Sequence, residues 1–303
     1  MLLRILGSAA GGGVPQWNCH CSNCRLARGG TRVRPRTQSS IAVRGANSAW
    51  ALINASPDLL LQLRTYPDMH PASGMRDSAI GAIVLTDGQI DHATGLLMLR
   101  EATRPWPLWC TNAVYRELSE ELPLLDVLGR YCGIAHHDVF AASDFVIDEI
   151  AEVQWRAHSV PSKAPPYSRD REVPQPGSNI ALTISNTQSR RSAFFVPGLG
   201  EMLPELWEQM QSAELVLVDG TCWTDDELVR LGISQRRARD MGHLPLGGSG
   251  GSLEWLQRLP SSTRKVLTHI NNTNPILDEA SRERAALVEL GIEVAYDGME
   301  FEL

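Results

Sequence analysis

Short apolar runs alternate with helical stretches along the whole chain. The clearest run is Ala79–Leu85 (AIGAIVL), whose unbroken apolar character is typical of a strand covered on both faces. Further strand material is predicted at Leu2–Leu6, Ser40–Val43, Trp50–Asn54, Leu108–Cys110, Asp144–Ala157, Asn179–Ser185, Ser192–Val196, Leu215–Val218 and Lys265–His269, with a strand pair in Glu293–Leu303. Helices are predicted at Pro57–Leu63, Gly95–Glu101, Asn112–Leu118, Leu203–Gln211 and Ser281–Leu290. Strands and helices mix without a break in composition, which indicates a single α/β domain over residues 1–303.

One long segment lacks any such periodicity. Residues 161–177 contain five prolines, and we expect them to form an irregular loop. Long loops of this kind often cover binding sites, so this loop is a candidate lid.

Composition and charge narrow the class of protein. The chain has 303 residues, 43% hydrophobic and 21% charged, and a formal net charge of −7, which disfavours general nucleic-acid binding. No apolar run approaches the ~18 residues that a membrane-spanning helix needs. Arg4 interrupts the apolar start, unlike the long apolar core of a secretion signal. Because three of the six cysteines are clustered rather than spread as a disulfide framework, we expect a reduced, cytoplasmic setting.

The clustered cysteines are Cys19, Cys21 and Cys24, within the segment 18–24 (NCHCSNC). This spacing places three thiolates on one turn, where they are suited to a structural zinc ion. Zinc bound by sulfur is normally tetrahedral, so a fourth ligand must come from a distant segment or from solvent. His20 is too close in sequence to serve. The alternative is three reduced thiols without a metal.

A second set of polar residues follows the apolar strands. Asp91 and His92 lie in TDGQIDH after the strand at 79–85, and His158, Asp219 and His269 each end a later strand. Active sites of α/β proteins lie at such strand ends, and one carboxylate with two imidazoles is a ligand set for iron, manganese or zinc. Alternatively, Asp91 only caps a helix and His92 is a surface residue. We interpret three other histidines as surface residues in loops: His70, His136 and His137.

The order of these motifs resembles the metallo-β-lactamase superfamily, because TDGQIDH stands where that superfamily has its H-x-H-x-D-H signature. The glycine-rich start and the late L-T-H-I resemble the branch that includes ribonuclease Z and the PhnP phosphodiesterase. The segments GGGVPQWNCHCSNC, TDGQIDHATGLL and LTHINNTNPIL are similar to the B-protein family of pyrroloquinoline quinone (PQQ) biosynthesis. The resemblance implies an αββα sandwich, with two mixed sheets flanked by helices.

The resemblance also assigns roles to residues. Asp91, His92 and His269 match the ligands of the second metal of the superfamily. Asp87 and Gln89 replace two ligands of the first metal, Pro197 stands in the place of the aspartate that bridges the metals, and His158 matches the remaining histidine. Asp219 and His243 match an acidic residue near the site and a proton-transfer histidine. Asn272 stands where PhnP-like proteins supply a histidine to the cysteine site, so the fourth zinc donor could be its amide oxygen, a backbone group or water.

For function, the resemblance implies PQQ biosynthesis. The implied reaction is hydroxylation of the tyrosine ring of a small acidic precursor, in which glutamate and tyrosine are cross-linked, with catalytic roles for His158, Asp219 and His243. The active-site metal is expected to be Fe²⁺, with Zn²⁺ or Mn²⁺ also compatible, beside the structural Zn²⁺. Two alternatives are a single-metal hydrolase and a carrier for PQQ or its precursor. The expected partners are that precursor, PQQ itself, other proteins of the pathway and a second copy in a homodimer, but neither nucleic acid nor a membrane.

Overall fold

Fourteen strands form two seven-stranded sheets in the computed structural model, which describes residues 1–303. In chain order the strands are β1 (Leu2–Gly7), β2 (Ser40–Arg44), β3 (Trp50–Ile53), β4 (Ile80–Val84), β5 (Trp106–Cys110), β6 (Ile134–Asp138), β7 (Asp144–Val146), β8 (Val153–Ser159), β9 (Ile180–Asn186), β10 (Ser192–Val196), β11 (Leu215–Asp219), β12 (Arg264–Thr268), β13 (Ile292–Val294) and β14 (Glu300–Glu302). The first sheet has the order β14-β1-β2-β3-β4-β5-β6, and the second has the order β13-β12-β11-β10-β9-β8-β7. Each sheet contains three antiparallel and three parallel pairs. In the order given, the antiparallel pairs come first in the first sheet and last in the second.

Nine short α-helices connect the strands. They are α1 (Ser22–Arg28), α2 (Leu59–Thr65), α3 (Ile90–Ala93), α4 (Asn112–Arg116), α5 (Leu124–Leu128), α6 (Pro204–Ser212), α7 (Glu227–Arg230), α8 (Ser252–Leu256) and α9 (Arg282–Glu289). None combines the length and the hydrophobicity needed to cross a membrane.

Three apolar layers hold these elements together. The central layer lies between the sheets and contains side chains of both, including the fully buried Trp155 and Phe195. A second layer joins the outer face of the first sheet to α2, α4 and α5, and a third joins the outer face of the second sheet to α6, α8 and α9. The layer order is therefore helix, sheet, sheet, helix, which confirms the αββα sandwich expected from the sequence.

Most predicted strands are present, and β4 is buried at all five positions, as its apolar sequence predicts. The helix predicted at Gly95–Glu101 is present as a 3₁₀ helix, Thr94–Leu99, which follows directly after α3, and it differs from an α-helix in its hydrogen bonding. Gly95 explains the difference, because its N–H donates to the Ala55 carbonyl and any side chain there would collide with the Ala55 and Ser56 carbonyls.

The interpretation of His136 and His137 as loop residues is wrong, because both lie in β6. Their rings stack on aromatic neighbours, His137 on Trp109 at 4.3 Å and His136 on Tyr115 at 4.2 Å between centroids. The two closing strands, β13 and β14, exist but do not pair with each other, because β13 pairs with β12 and β14 with β1. Residues 161–177 form neither helix nor strand, as expected.

Candidate metal centre

The turn after β4 carries the first part of the site. Asn54, which follows β3, accepts from the Thr86 backbone N–H and donates its side-chain amide to the Thr86 hydroxyl. The Asp87 carboxylate in turn accepts from the Thr86 hydroxyl at 3.0 Å and from the Gln89 N–H at 2.9 Å. These bonds fix the Asp87 side chain at the start of α3, on which Asp91 and His92 lie.

Asp87 orients His92. The Nδ1 of His92 lies 2.8 Å from both carboxylate oxygens of Asp87, so Nδ1 carries the proton and the Nε2 lone pair is available to a ligand. Burial disfavours the charged ring, but the Asp87 and Asp91 carboxylates outweigh it and raise the pKa of His92 to about 9 in the metal-free protein. The Nε2 atom is buried and has no hydrogen-bond partner.

Three ligand atoms converge at this point. Asp91 Oδ2 lies 3.4 Å from His269 Nε2 and 3.8 Å from His92 Nε2. The ligand atoms of all three residues lie within 4.8 Å of one another. One carboxylate and two imidazoles fit a divalent cation. Such a cation would give the buried Nε2 of His92 the partner that the protein does not provide.

His269 is held by Thr221, a residue that the sequence analysis did not single out. The chain turns sharply after β12, since His269 adopts a left-handed φ of 53°. The Thr221 hydroxyl donates to Asp219 Oδ1 at 2.6 Å and lies 2.9 Å from His269 Nδ1, so it accepts the Nδ1 proton. The Nε2 of His269 is thereby directed at the cluster. The only sequence signal was a threonine two residues after the strand-end Asp219.

Asp219 and His243 reach the same cluster. Asp219 Oδ2 accepts from the Leu199 N–H and lies 2.5 Å from His243 Nδ1, and the rings of His243 and His269 stack at 5.4 Å. Although burial opposes the charge, the Asp219 carboxylate raises the pKa of His243 above its usual range. The side chain of His243 is 18% exposed, and that of Asp219 only 1%. Because Asp219 and the Nδ1 atom of His243 are already hydrogen-bonded, these two residues are placed to support the neighbouring His269.

His158 is not brought to the cluster, which corrects its predicted role. Along β8, Trp155 and Ala157 face the layer between the sheets, so His158 faces the opposite side of its sheet. Its Nε2 bonds to the Thr183 hydroxyl at 2.9 Å, and its ring packs on Phe194. Burial lowers the pKa of His158 to about 4, so the ring is a neutral part of the outer layer.

The positions that correspond to the other metal of the superfamily have no ligand set. Asp87 is used by His92, and the Gln89 amide donates to the Lys163 carbonyl at 3.4 Å. Pro197, after β10, has no side-chain donor atom. Asp219, His243 and His269 form a second group of possible ligands that shares His269, but the hydrogen bonds of Asp219 and of both Nδ1 atoms favour a supporting role.

The proline-rich loop, residues 161–177, contacts the turn that leads to His92 and the turn that carries His243. The Tyr167 hydroxyl donates to the Gly88 carbonyl, and the Ser162 hydroxyl donates to the Gly242 carbonyl at 2.7 Å. On another side the glycine-rich loop passes close to the ligands, since a Cβ on Gly11 would lie 3.3 Å from Asp91 Oδ2. Asp91 and His243 remain partly exposed between these loops and are the groups that a substrate can reach.

A buried acid lies behind the turn. Glu117 is 1% exposed, in the π-helical segment Glu117–Glu121, and a side chain on Gly88 would meet its Oε2. One carboxyl oxygen accepts from the Ser168 hydroxyl, whereas Oε2 is buried without a partner. Burial, reinforced by the Asp87 charge, raises the pKa of Glu117 to about 7. Nothing in the local sequence (RELSEE) signalled this acid.

Cys19, Cys21 and Cys24 form a separate group at the start of α1, and their sulfur atoms lie within 4.8 Å of one another. Cys21 caps the helix, since its sulfur accepts from the Cys24 N–H. The Asn272 side-chain amide faces all three, with Nδ2 3.0, 3.6 and 3.3 Å from the sulfurs of Cys19, Cys21 and Cys24. Rotation of this amide by half a turn would present Oδ1 to the same three sulfurs, so Asn272 is placed where a fourth donor could lie. His20 is exposed.

Comparison with known proteins identifies the family and supports the fold. Residues 49–270 match the model of the beta-lactamase superfamily domain. The chain is 58% identical, over all of both sequences, to a coenzyme PQQ synthesis protein B from Azoarcus sp. strain BH72. Among solved structures, it superposes on zinc-bound PqqB from Methylobacterium extorquens with a TM-score of 0.92, at 38% identity and full coverage of both chains. A diphosphatase of the PhnP family shares the fold, with a TM-score of 0.71 at 18% identity over 100% of this chain and 97% of the other.

Proposed function

This chain belongs to the coenzyme PQQ synthesis protein B family of the β-lactamase superfamily, and from that membership we propose that it is a metal-dependent hydroxylase of PQQ biosynthesis. Its proposed substrate is the small acidic precursor in which glutamate and tyrosine are cross-linked, and its proposed reaction adds an oxygen atom to the tyrosine ring. A second, structural metal is proposed to be zinc at Cys19, Cys21 and Cys24, with Asn272 at the fourth position.

The observation that carries this proposal is the single, open ligand set. Asp91, His92 and His269 supply one carboxylate and two imidazoles, while Asp87 is used to orient His92. A hydrolase with two metals uses both ions to generate hydroxide and to stabilise the developing charge, and this chain lacks the ligands of one of them. Three protein ligands leave coordination positions open, as in the iron(II) oxygenases.

The residues of the chain have separate tasks in this proposal. Asp91, His92 and His269 would hold iron(II), which supplies the one-electron chemistry that dioxygen requires. Asp87 and Thr221 keep the proton on each ligand's Nδ1, so that each Nε2 stays directed inward. His243, backed by Asp219, carries a proton at the edge of the site and can exchange it with the phenol of the substrate. The proline-rich loop limits the access of water.

The test is an anaerobic reconstitution. Protein loaded with iron(II) is mixed with the cross-linked precursor, an external reductant and isotopically labelled dioxygen. One oxygen atom should enter the ring and the other should leave as water, with the reductant supplying the electrons. We expect labelled hydroxylated product from the wild type and none from Asp91→Asn.

The control is Asp126→Asn, which removes an exposed carboxylate on α5 and should retain full activity. Turnover of phosphodiesters by the zinc or manganese form without dioxygen would instead indicate a hydrolase. Tight binding of PQQ or its precursor without turnover, unaffected by Asp91→Asn, would indicate a carrier. Either result would overturn the hydroxylase proposal.

A further inference from the structure

A second pocket, away from the metal centre, contains three arginines. It has a volume of about 370 Å³ and lies beside the edge strand β13, and none of its lining residues belongs to the metal cluster. Arg34, Arg36 and Arg284 contribute its positive charge. The volume is at the lower end of the range for sites that take small molecules.

Arg36 is the central feature of this pocket because it is only 5% exposed. Its Nε donates to the Ala295 carbonyl at 3.2 Å and its Nη1 to the Arg34 carbonyl at 2.8 Å, whereas Nη2 has no protein partner. No carboxylate lies within 4.0 Å of the guanidinium. A buried charge without a counter-ion is costly, which is why buried arginines are normally paired.

The nearby acids do not supply the missing charge. Asp297 accepts four hydrogen bonds from Ser8 and Thr37 and forms no ion pair with Arg36. Glu293 pairs with Arg264, on β12. Glu279 pairs with Arg34 at the rim.

Arg284 adds a second cation without a carboxylate partner. It is half-buried, and its Nη1 donates only to the Ile276 carbonyl at 3.2 Å. Burial lowers the pKa of Arg36 to about 10. The more distant charges of Asp297 and Glu279 oppose this shift, and those of Arg284 and Arg34 add to it. At neutral pH all three guanidinium groups remain charged, so the pocket carries an excess of positive charge that its own acids leave unmatched.

Glu279 and Glu293 also line the pocket, and the remaining walls are mostly apolar. Val288, Ile292 and Val294 line one side, and the Tyr296 ring lies under the Arg34 guanidinium at 5.4 Å. Guanidinium groups bind carboxylates and phosphates through paired N–H donors, and apolar walls favour a ligand with a hydrocarbon or aromatic body. We propose that the pocket of Arg34, Arg36 and Arg284 binds a small aromatic carboxylate at a site independent of the metal centre.

Calorimetric titration of the metal-loaded, full-length protein tests this site. Phthalate is the aromatic carboxylate probe, and inorganic phosphate is the anion without an apolar body. We expect saturable binding of phthalate, tighter than that of phosphate. Arg284→Gln should weaken phthalate binding about tenfold or more, because one charge-assisted donor pair is lost.

Arg130→Gln is the matched control, since it removes an exposed arginine on the loop after α5 and should leave binding unchanged. Arg36→Gln should abolish binding, and circular dichroism identifies folded protein for that measurement. Equal affinities in Arg284→Gln and Arg130→Gln, or no saturable binding of phthalate, would overturn the proposal. Binding of phosphate alone would also overturn it, since the apolar walls would then have no role.

Discussion

His92 and His269 meet edge to face across the two sheets, with ring centroids 5.1 Å apart and ring planes at 73°. His92 follows β4 of the first sheet, and His269 follows β12 of the second. A cation bound by both rings would therefore join the sheets at one end. Metal binding and the packing of the two sheets are linked by this geometry.

Metal should consequently stabilise the folded chain. At a free metal concentration of 100 times Kd, the gain in the free energy of unfolding is about 2.7 kcal/mol. Asp91→Asn should lose most of this gain, because it removes the carboxylate ligand. Calorimetric melting with and without iron(II) measures it, with Asp126→Asn as the control. An equal shift of Tm in both variants would contradict the ligand assignment.

Asp87→Asn should weaken metal binding although Asp87 is not a ligand. Its carboxylate accepts the Nδ1 proton of His92, and loss of such an orienting group typically costs about 10- to 100-fold in metal affinity. Gln89→Ala is the matched comparison on the same turn, since the Gln89 side chain contacts only the Lys163 carbonyl. Competition with a chromogenic chelator gives both affinities. The assignment fails if the two variants bind metal alike.

Thr221→Val should destabilise the protein and loosen His269. The hydroxyl bonds to both Asp219 and His269. Valine leaves the buried His269 Nδ1 without a partner and removes one of the two bonds that Asp219 Oδ1 accepts from Thr221, at a cost of about 1–3 kcal/mol. Thr221→Ser retains the hydroxyl and should recover most of the loss. Urea unfolding measures the free energy. Equal stabilities of the valine and serine variants would show that the hydroxyl is not the cause.

Glu117 should make stability depend on pH. Burial raises its pKa from the ordinary 4.5 to about 7, so its stabilising contribution is complete below pH 4.5 and is lost as the pH rises through about 7. The full loss is about 3 kcal/mol. Glu117→Gln stays neutral and should flatten this part of the profile in urea unfolding between about pH 5 and pH 8. Glu120→Gln, at an exposed neighbour, should keep the wild-type slope.

One zinc ion per chain should depend on Cys19, Cys21 and Cys24. Cys24→Ser removes a buried sulfur ligand and should lower both bound zinc and Tm. Cys132→Ser alters a cysteine outside the group and should retain the zinc. Asn272→Ala should bind zinc more weakly than the wild type, while Asn272→Asp should retain it. Elemental analysis measures all four variants, and equal zinc in Cys24→Ser and Cys132→Ser would exclude the site.

The metal-centre residues could be predicted from the sequence because each of them follows the end of an apolar strand. Asp91, His92 and His269 follow apolar runs whose carboxyl ends lie at one edge of the sandwich, and the structure brings them together. The prediction for His158 was wrong. The apolar Trp155 and Ala157 alternate with polar residues in β8, and this pattern places His158 on the face opposite to them. Thr221 was not predicted, because its role arises from hydrogen bonds to Asp219 and His269, 2 and 48 positions away in sequence.

The same limit applies to β6. Its sequence, IAHHD, has no apolar run, and the strand is stabilised partly by the stacking of its histidines on Trp109 and Tyr115. These contacts form only when the neighbouring strand and helix are in place. Local patterns could not predict them.

The pairing of β14 with β1 affects how the chain can fold during synthesis. Leu2 pairs with Glu302, and β14 enters the first sheet after β13 has completed the second. One edge of β1 therefore stays unpaired until residues 300–302 have been synthesised, so the first sheet is completed late. Contacts this distant in sequence slow folding, and the nascent chain exposes an unpaired strand edge until then.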